Sequence, residues 1–292
     1  MDDTHTHPRW EPSENKYRYK ALRLIGRGAF SEVLLGQRVH DGLLVALKRF
    51  KKRDTTSYRL FRREIETWHQ LQTHFHELGS HIVHLLDART TTPRFLIVGE
   101  LGEMSLSHFL KRFPSSHSAE ASKKRVYLRA EWIAQAIQGI RAMHRHSFVH
   151  RDIKPDNMIL FGDGKILKLC DFGFTALCRP DTEERLRTIC GSPAYMAPEM
   201  TLPSSGRDGY KGFPVDVWSL GAVVYELFHD GAMLLLGNSP HEAFRNLRRG
   251  RIRPCKRKGI HILYRKLMAD CLVLEPKERK RASELCIPIR KV

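Results

Sequence analysis

The sequence predicts an α+β fold in two parts, a small antiparallel sheet carrying one helix and then a larger, mainly helical region. Three observations carry this reading. Between Tyr19 and Lys48, short β-type runs at 22–25, 33–35 and 43–47 alternate with glycine turns at Gly26, Gly28, Gly36 and Gly42, which is the pattern of an antiparallel meander. Later apolar spacing is helical, with Ile133, Ile137, Ile140 and Met143 in register over 126–146 and a strongly apolar helix over 215–228 that contains Asp216. Between these regions, Gly99-Glu100-Leu101-Gly102 interrupts the pattern and marks a hinge between a strand-rich and a helix-rich half.

At 292 residues and 41% apolar, the chain can bury one or two substantial cores. Its apolar runs, such as Met233-Leu234-Leu235-Leu236, are too short to cross a bilayer, and its N-terminus is polar, unlike a signal peptide. Six cysteines without a CxxC pair argue against a zinc site or a disulfide framework and read as reduced thiols. An intracellular protein, cytoplasmic and/or nuclear, is expected. The net charge of +18 is uneven: residues 245–292 hold 16 Lys and Arg against 4 Asp and Glu, an excess of 12. Such a basic C-terminal region suits an acidic docking partner, with a merely solvated surface as the alternative. No aromatic stacking pattern accompanies the charge, which argues against nucleic acid; Lys256-Arg257-Lys258 is a weak nuclear-import signal.

Taken in order, residues 1–16 are polar, hold Pro8 and Pro12, and read as a mobile tail. Gly26-Arg27-Gly28-Ala29-Phe30-Ser31-Glu32-Val33 joins one strand to the next, where small residues let backbone N–H groups approach phosphate oxygens. A plain hairpin turn would also fit. No Walker lysine follows, and a strand-to-strand link is foreign to both P-loop and dinucleotide-binding folds. Lys48 ends an apolar strand, where burial demands a partner such as a phosphate or a carboxylate. The next element supplies one: helical spacing over 59–72 puts Phe61, Ile65, Trp68 and Leu71 or Gln72 on one face with Glu64 at its edge. Glu64 is the expected partner, and Glu66 replaces it if the phase is off by one residue.

Strands are expected at 82–86 and 95–98, a short helix at 105–113, and an exposed insertion at 114–124. The chemistry concentrates in His150-Arg151-Asp152-Ile153-Lys154-Pro155-Asp156-Asn157 and in Asp171-Phe172-Gly173, fourteen residues after Asn157. Mg²⁺ takes oxygen ligands and is held by one or two carboxylates plus substrate phosphates, so Asn157 and Asp171 can hold metal while Asp152 accepts a proton. Two short strands around Gly162-Asp163-Gly164 would bring Asn157 and Asp171 together. The long polar connection over 174–199 reads as functional.

These pieces follow the order and spacing of a eukaryotic protein kinase, and the resemblance covers about residues 19–289. It rests on the glycine loop, Val45-Ala46-Leu47-Lys48, Glu64, His150-Arg151-Asp152 with Asn157, Asp171-Phe172-Gly173, Ala197-Pro198-Glu199, Asp216-Val217-Trp218-Ser219-Leu220-Gly221 and Arg279. The resemblance implies a bilobal fold with an N-lobe over about 17–101 and a C-lobe over about 102–289. ATP would lie against Ile25, Gly26, Arg27, Gly28, Ala29, Phe30, Ser31, Val33, Ala46, Lys48, Glu100 and Leu101. Lys48, fixed by Glu64, would hold phosphates; Asn157 and Asp171 would bind Mg²⁺; Asp152 would be the base with Lys154 beside the transferring group. Glu199 and Arg279 would form a buried ion pair. Asp152-Ile153-Lys154-Pro155 and Ser192 resemble the serine/threonine type, so the expected partner is a protein substrate with a Ser or Thr acceptor. Thr188 sits where many such enzymes are phosphorylated, with Arg151 as the phosphate receptor.

Departures accompany the likeness. Ser31 replaces the third glycine of the loop but is small enough to keep ATP binding. Gly99 falls where a larger side chain normally closes the back of the adenine pocket, so an open cavity accepting bulky ATP analogues is expected. Asp230-Gly231-Ala232-Met233-Leu234-Leu235 replaces a common Gly-x-x-Pro-Phe type turn. Cys170 reads as a packed small hydrophobe, or as a reactive thiol if Lys48 lowers its pKa. The competing function classes are a pseudokinase scaffold, against which Lys48, Asp152, Asn157 and Asp171 are all present, and a small-molecule phosphotransferase, against which Arg151, Glu199 and Arg279 stand.

Overall fold

The computed structural model describes residues 18–51, 54–73, 81–90, 95–113, 119–179, 185–202, 208–255 and 260–286, and the account below concerns these. The expected tail, the start of the 114–124 insertion and Lys256-Arg257-Lys258 lie outside them. The described residues form two compact units. The first comprises those of Met1–His76, Val83–Gly102 and Asp171–Gly173; the second those of Glu77–Ile82, Glu103–Cys170 and Phe174–Val292.

The first unit is a five-stranded antiparallel sheet with one helix. Strands β1 (Tyr19–Arg27), β2 (Ser31–Arg38), β3 (Leu44–Phe50), β4 (Leu85–Thr90) and β5 (Phe95–Glu100) lie in the order β1-β2-β3-β5-β4. Helix α1 (Thr55–Thr73) packs on it through Phe61, Ile65, Trp68 and Leu71, the stripe that the 3.6-residue period places on one face. Phe61 stacks on Phe95 at 5.1 Å and meets Phe50 edge-on at 5.9 Å. The helix starts before residue 59 because Asp54 caps it, accepting the Ser57 N–H at 2.8 Å. The strand expected at 82–86 is displaced to β4. Asp87 and Arg89 neutralise each other in the ladder at 2.7 Å while the Tyr19 hydroxyl donates to Asp87.

The second unit is mainly helical: α2 (Leu106–Arg112), α3 (Ala119–Arg145), α4 (Gly212–Phe228), α5 (Pro240–Arg248) and α6 (Ile262–Cys271). Strands β6 (Met104–Ser105), β8 (Met158–Phe161) and β9 (Ile166–Leu169) form one small sheet, and β7 (Phe148–Val149) pairs with β10 (Ala176–Leu177). Ile82 makes a lone parallel bridge to Leu169. Helix α3 begins seven residues before the expected 126 because 119–125 lacks an apolar stripe yet is built of strong helix formers. Ile133, Ile137, Ile140 and Met143 are all buried, and α4 is buried on nearly every side. That burial makes α4 a fixed post for the loop before β8.

Candidate active site

In the first unit, β3 presents Lys48 to α1, and the strand runs two residues further than the sequence suggests, through Arg49 to Phe50. Lys48 Nζ donates to Glu64 Oε1 at 2.6 Å and Oε2 at 2.7 Å, and to Asp171 Oδ1 at 2.8 Å. Glu66 turns away and pairs with Arg62, one helical turn earlier, at 2.7 Å. Burial by itself would discharge Lys48, but the Asp171 and Glu64 carboxylates outweigh it and hold the ammonium protonated. Glu64 is raised to about 7, because its burial, helped by the Asp171 charge, exceeds the pull of Lys48. Asp171 takes a left-handed backbone angle, φ 65°, and its side chain stays 43% exposed.

The glycine loop is the β1–β2 turn, closed by Gly28 N–H to the Ser31 carbonyl at 2.8 Å. Lys51, which the sequence did not single out, donates to the Gly28 carbonyl at 2.6 Å. Ile25 and Phe30 are exposed, Val33 lies opposite Lys48 in the ladder, and Ala46 lies opposite Gly99. Glu100 ends β5 and accepts the His84 N–H at 2.7 Å, with Leu101 just beyond.

In the second unit, α4 anchors the loop that carries Asp152. Asp216 is fully buried; it accepts the N–H groups of His150 and Arg151 at 2.8 Å each and bonds His144 Nε2 at 2.9 Å. Desolvation would raise its pKa, yet the hydrogen bond and charge of His144, with His150 and the Arg151 N–H, hold it below the ordinary value. These bonds fix Arg151 at φ 67°, a costly angle for a non-glycine residue. The next residue is thereby aimed. Asp152 Oδ2 receives Lys154 Nζ at 2.8 Å and Asn157 Nδ2 at 3.0 Å, while Oδ1 is buried with no hydrogen-bond partner among the described residues. Lys154 also donates to Ser192 Oγ at 2.6 Å.

Gly191 makes that approach feasible. Its φ is +95°, and a Cβ there would lie 2.4 Å from the Arg151 carbonyl oxygen. Arg151 itself is buried, its Nε donating to the Phe174 carbonyl at 2.6 Å and Nη1 to the Tyr210 hydroxyl at 3.3 Å. Thr188 is exposed. Cys170 is half-buried, its carbonyl 3.1 Å from His150 Nε2. Arg279, also buried, forks onto Glu199 at 2.7 and 3.1 Å.

The open cavity expected at Gly99 is filled. A Cβ at Gly99 would stand 3.1 Å from Trp68 Cη2 and 3.5 Å from the His84 carbonyl oxygen. The indole is locked there: Nε1 donates to the Val83 carbonyl at 2.7 Å, and the ring meets Phe172 edge-on at 5.4 Å. A large residue on α1 occupies the volume that a side chain at 99 would otherwise take.

The chain matches the protein kinase domain over residues 19–287. It is 33% identical to the Serine/threonine-protein kinase TIO of Arabidopsis thaliana over 72% of this chain, and 33% identical to CBL-interacting protein kinase 4 of Oryza sativa subsp. japonica over 77%. A third relative, CBL-interacting protein kinase 30 of the same rice, is 30% identical over 92% of the chain. The chain spans 14%, 46% and 53% of the lengths of these three relatives. It therefore belongs to the protein kinase family.

Proposed function

We propose that the chain is an ATP-dependent serine/threonine protein kinase, and the observation that carries this reading is the geometry of Asp152. One oxygen of its carboxylate is spent on Lys154 and Asn157, and the other is buried without a partner among the described residues. An unsatisfied buried carboxylate oxygen is unfavourable unless a donor arrives, and an acceptor hydroxyl is such a donor. A scaffold without transfer activity has no use for that arrangement.

Members of this family use ATP and Mg²⁺, and the donor sets suit both. Asp171 offers carboxylate oxygen beside the Lys48 ammonium, and the Asn157 amide points its NH₂ at Asp152, leaving the oxygen for a cation. Mg²⁺ is held by substrate phosphates together with one or two protein oxygens, which these two side chains can supply. When bound, Mg-ATP supplies the phosphoryl group and the countercharge. The chain's own residues do the rest. Lys48 holds phosphate oxygens; Asp152 orients the acceptor hydroxyl and takes its proton as the new P–O bond forms and ADP departs; Lys154 steadies both Asp152 and the developing charge.

Ser192 beside Lys154 and the Asp152-Ile153-Lys154 sequence favour Ser or Thr as acceptor, as do the names of the relatives. Arg245, Arg248, Arg249, Arg251 and Arg253 are exposed on α5 and just after it, which suits an acidic docking partner. No helix of the described residues is long and apolar enough to cross a membrane. The scattered spacing of the six cysteines, with no CxxC pair, is what supports placing the chain in a reducing, intracellular compartment, cytoplasmic and/or nuclear. The test is phosphoamino-acid analysis of a mixed protein substrate incubated with γ-labelled ATP. Label on serine and threonine is expected; label on tyrosine, or on small molecules only, would overturn the reading.

A further inference from the structure

Apart from the residues already assigned, a buried hydroxyl bridges the loop of Asp152 to the 185–192 segment. Tyr210 is 2% exposed; its hydroxyl donates to the Thr188 carbonyl at 2.7 Å and accepts from Arg151 Nη1 at 3.3 Å. The backbone reinforces the link, because Leu186 and Tyr210 exchange N–H to carbonyl bonds at 2.9 and 2.8 Å. Burial raises the Tyr210 pKa to about 12 against the pull of Arg151, so the donor persists at any working pH. Downstream, the same segment reaches Asp152 through Gly191 against the Arg151 carbonyl and Ser192 on Lys154.

We infer that Tyr210 is a positioning residue that fastens this segment to Arg151, next to the catalytic base, without any modification of Thr188. The inference rests on the kinase reading for its effect on rate, but not for the contact itself. Arg151 is the expected receptor of a phosphate on Thr188, yet here the residue is 4% exposed and its guanidinium is engaged by Tyr210 and the Phe174 carbonyl. A phosphate would have to displace the hydroxyl and carry about two charges into a site closed to water. The neutral bridge does the ordering that a modification does elsewhere.

The experiment compares wild type, Tyr210→Phe and Thr188→Ala, each dephosphorylated and checked by intact mass. It reads kcat and KM for ATP and for a peptide, and the rate of tryptic cleavage after Arg185 and Arg187, both exposed. Unmodified wild type and Thr188→Ala are expected to turn over within about twofold of each other. Tyr210→Phe keeps the ring but loses the hydroxyl; kcat is expected to fall about tenfold or more with KM for ATP unchanged, and cleavage to accelerate. Arg151→Gln, which removes the other end of the contact, is expected to be cleaved faster as well, so the test survives if Tyr210→Phe fails to fold. Wild-type rates in Tyr210→Phe, or turnover that appears only after Thr188 is phosphorylated, would overturn the inference. If no variant transfers phosphate, the kinase reading fails, and the cleavage rates alone decide whether Tyr210 fastens the segment.

Discussion

Gly99→Met forces a side chain into volume that the Trp68 indole already fills. The first added atom stands 3.1 Å from Trp68 Cη2, tighter than ordinary contact, and three further heavy atoms must follow it. Overpacking of this kind costs roughly 1–3 kcal/mol. Trp68→Ala fails in the opposite sense: it removes a 5%-exposed indole and orphans the Val83 carbonyl, for roughly 3–5 kcal/mol. If the residues were independent, the double variant would lose the sum. Because they compete for one space, the methionine is expected to fill the vacated volume, leaving the double variant more stable than Trp68→Ala alone. Urea unfolding followed by far-UV circular dichroism measures all four proteins. Additivity within about 0.5 kcal/mol would refute the shared-volume argument. An ATP analogue enlarged on its adenine is expected to gain affinity in Trp68→Ala and not in wild type.

Two further outcomes follow from buried charge. Glu64 is raised to about 7 in the fold, above the ordinary carboxylate value, so the folded chain holds that proton more tightly than the unfolded one. The stability difference between wild type and Glu64→Gln should therefore shrink as pH rises from about 4.5 to 7 and stay level above; a difference that grows over that window would contradict the assignment. Glu199→Ala strands the guanidinium of Arg279, which also serves the Val273 and Pro214 carbonyls and lies over the Trp218 ring at 5.2 Å. A loss of about 3–5 kcal/mol is expected in urea unfolding, and a loss below about 1 kcal/mol would mean the pair is solvated.

The parts of the site that are close in sequence were readable as chemistry. Asp152, Lys154 and Asn157 fall within six residues, and their mutual hydrogen bonds follow from that spacing. Lys48 and Glu64 were also readable, because a lysine ending an apolar strand needs a carboxylate and the helical period offered one. Contacts across long loops left no local signal. Trp68 looked like one more core residue, and nothing in the chain near Gly99 tells that an indole 31 positions away closes its cavity. His144 and Tyr210 reach Asp216 and Arg151 across 72 and 59 residues, through hydrogen bonds that hydrophobic periodicity does not encode. Strand β4 runs on past the expected end at 86 because Asp87 and Arg89 neutralise each other within the ladder, a pairing that apolar runs do not signal.

In the proposed function, Lys48 and Asp171 hold the nucleotide's charge and Asp152 takes the proton, so binding and chemistry fall on different residues. Asp152→Asn keeps the shape of the side chain and removes the base, so comparing its Mg-ATP affinity and its turnover with wild type tests the claim most directly. Turnover reduced by about 10²–10⁴ at unchanged affinity is expected. Turnover within tenfold of wild type would contradict the account, because the unpartnered oxygen of Asp152 would then have no part in the transfer.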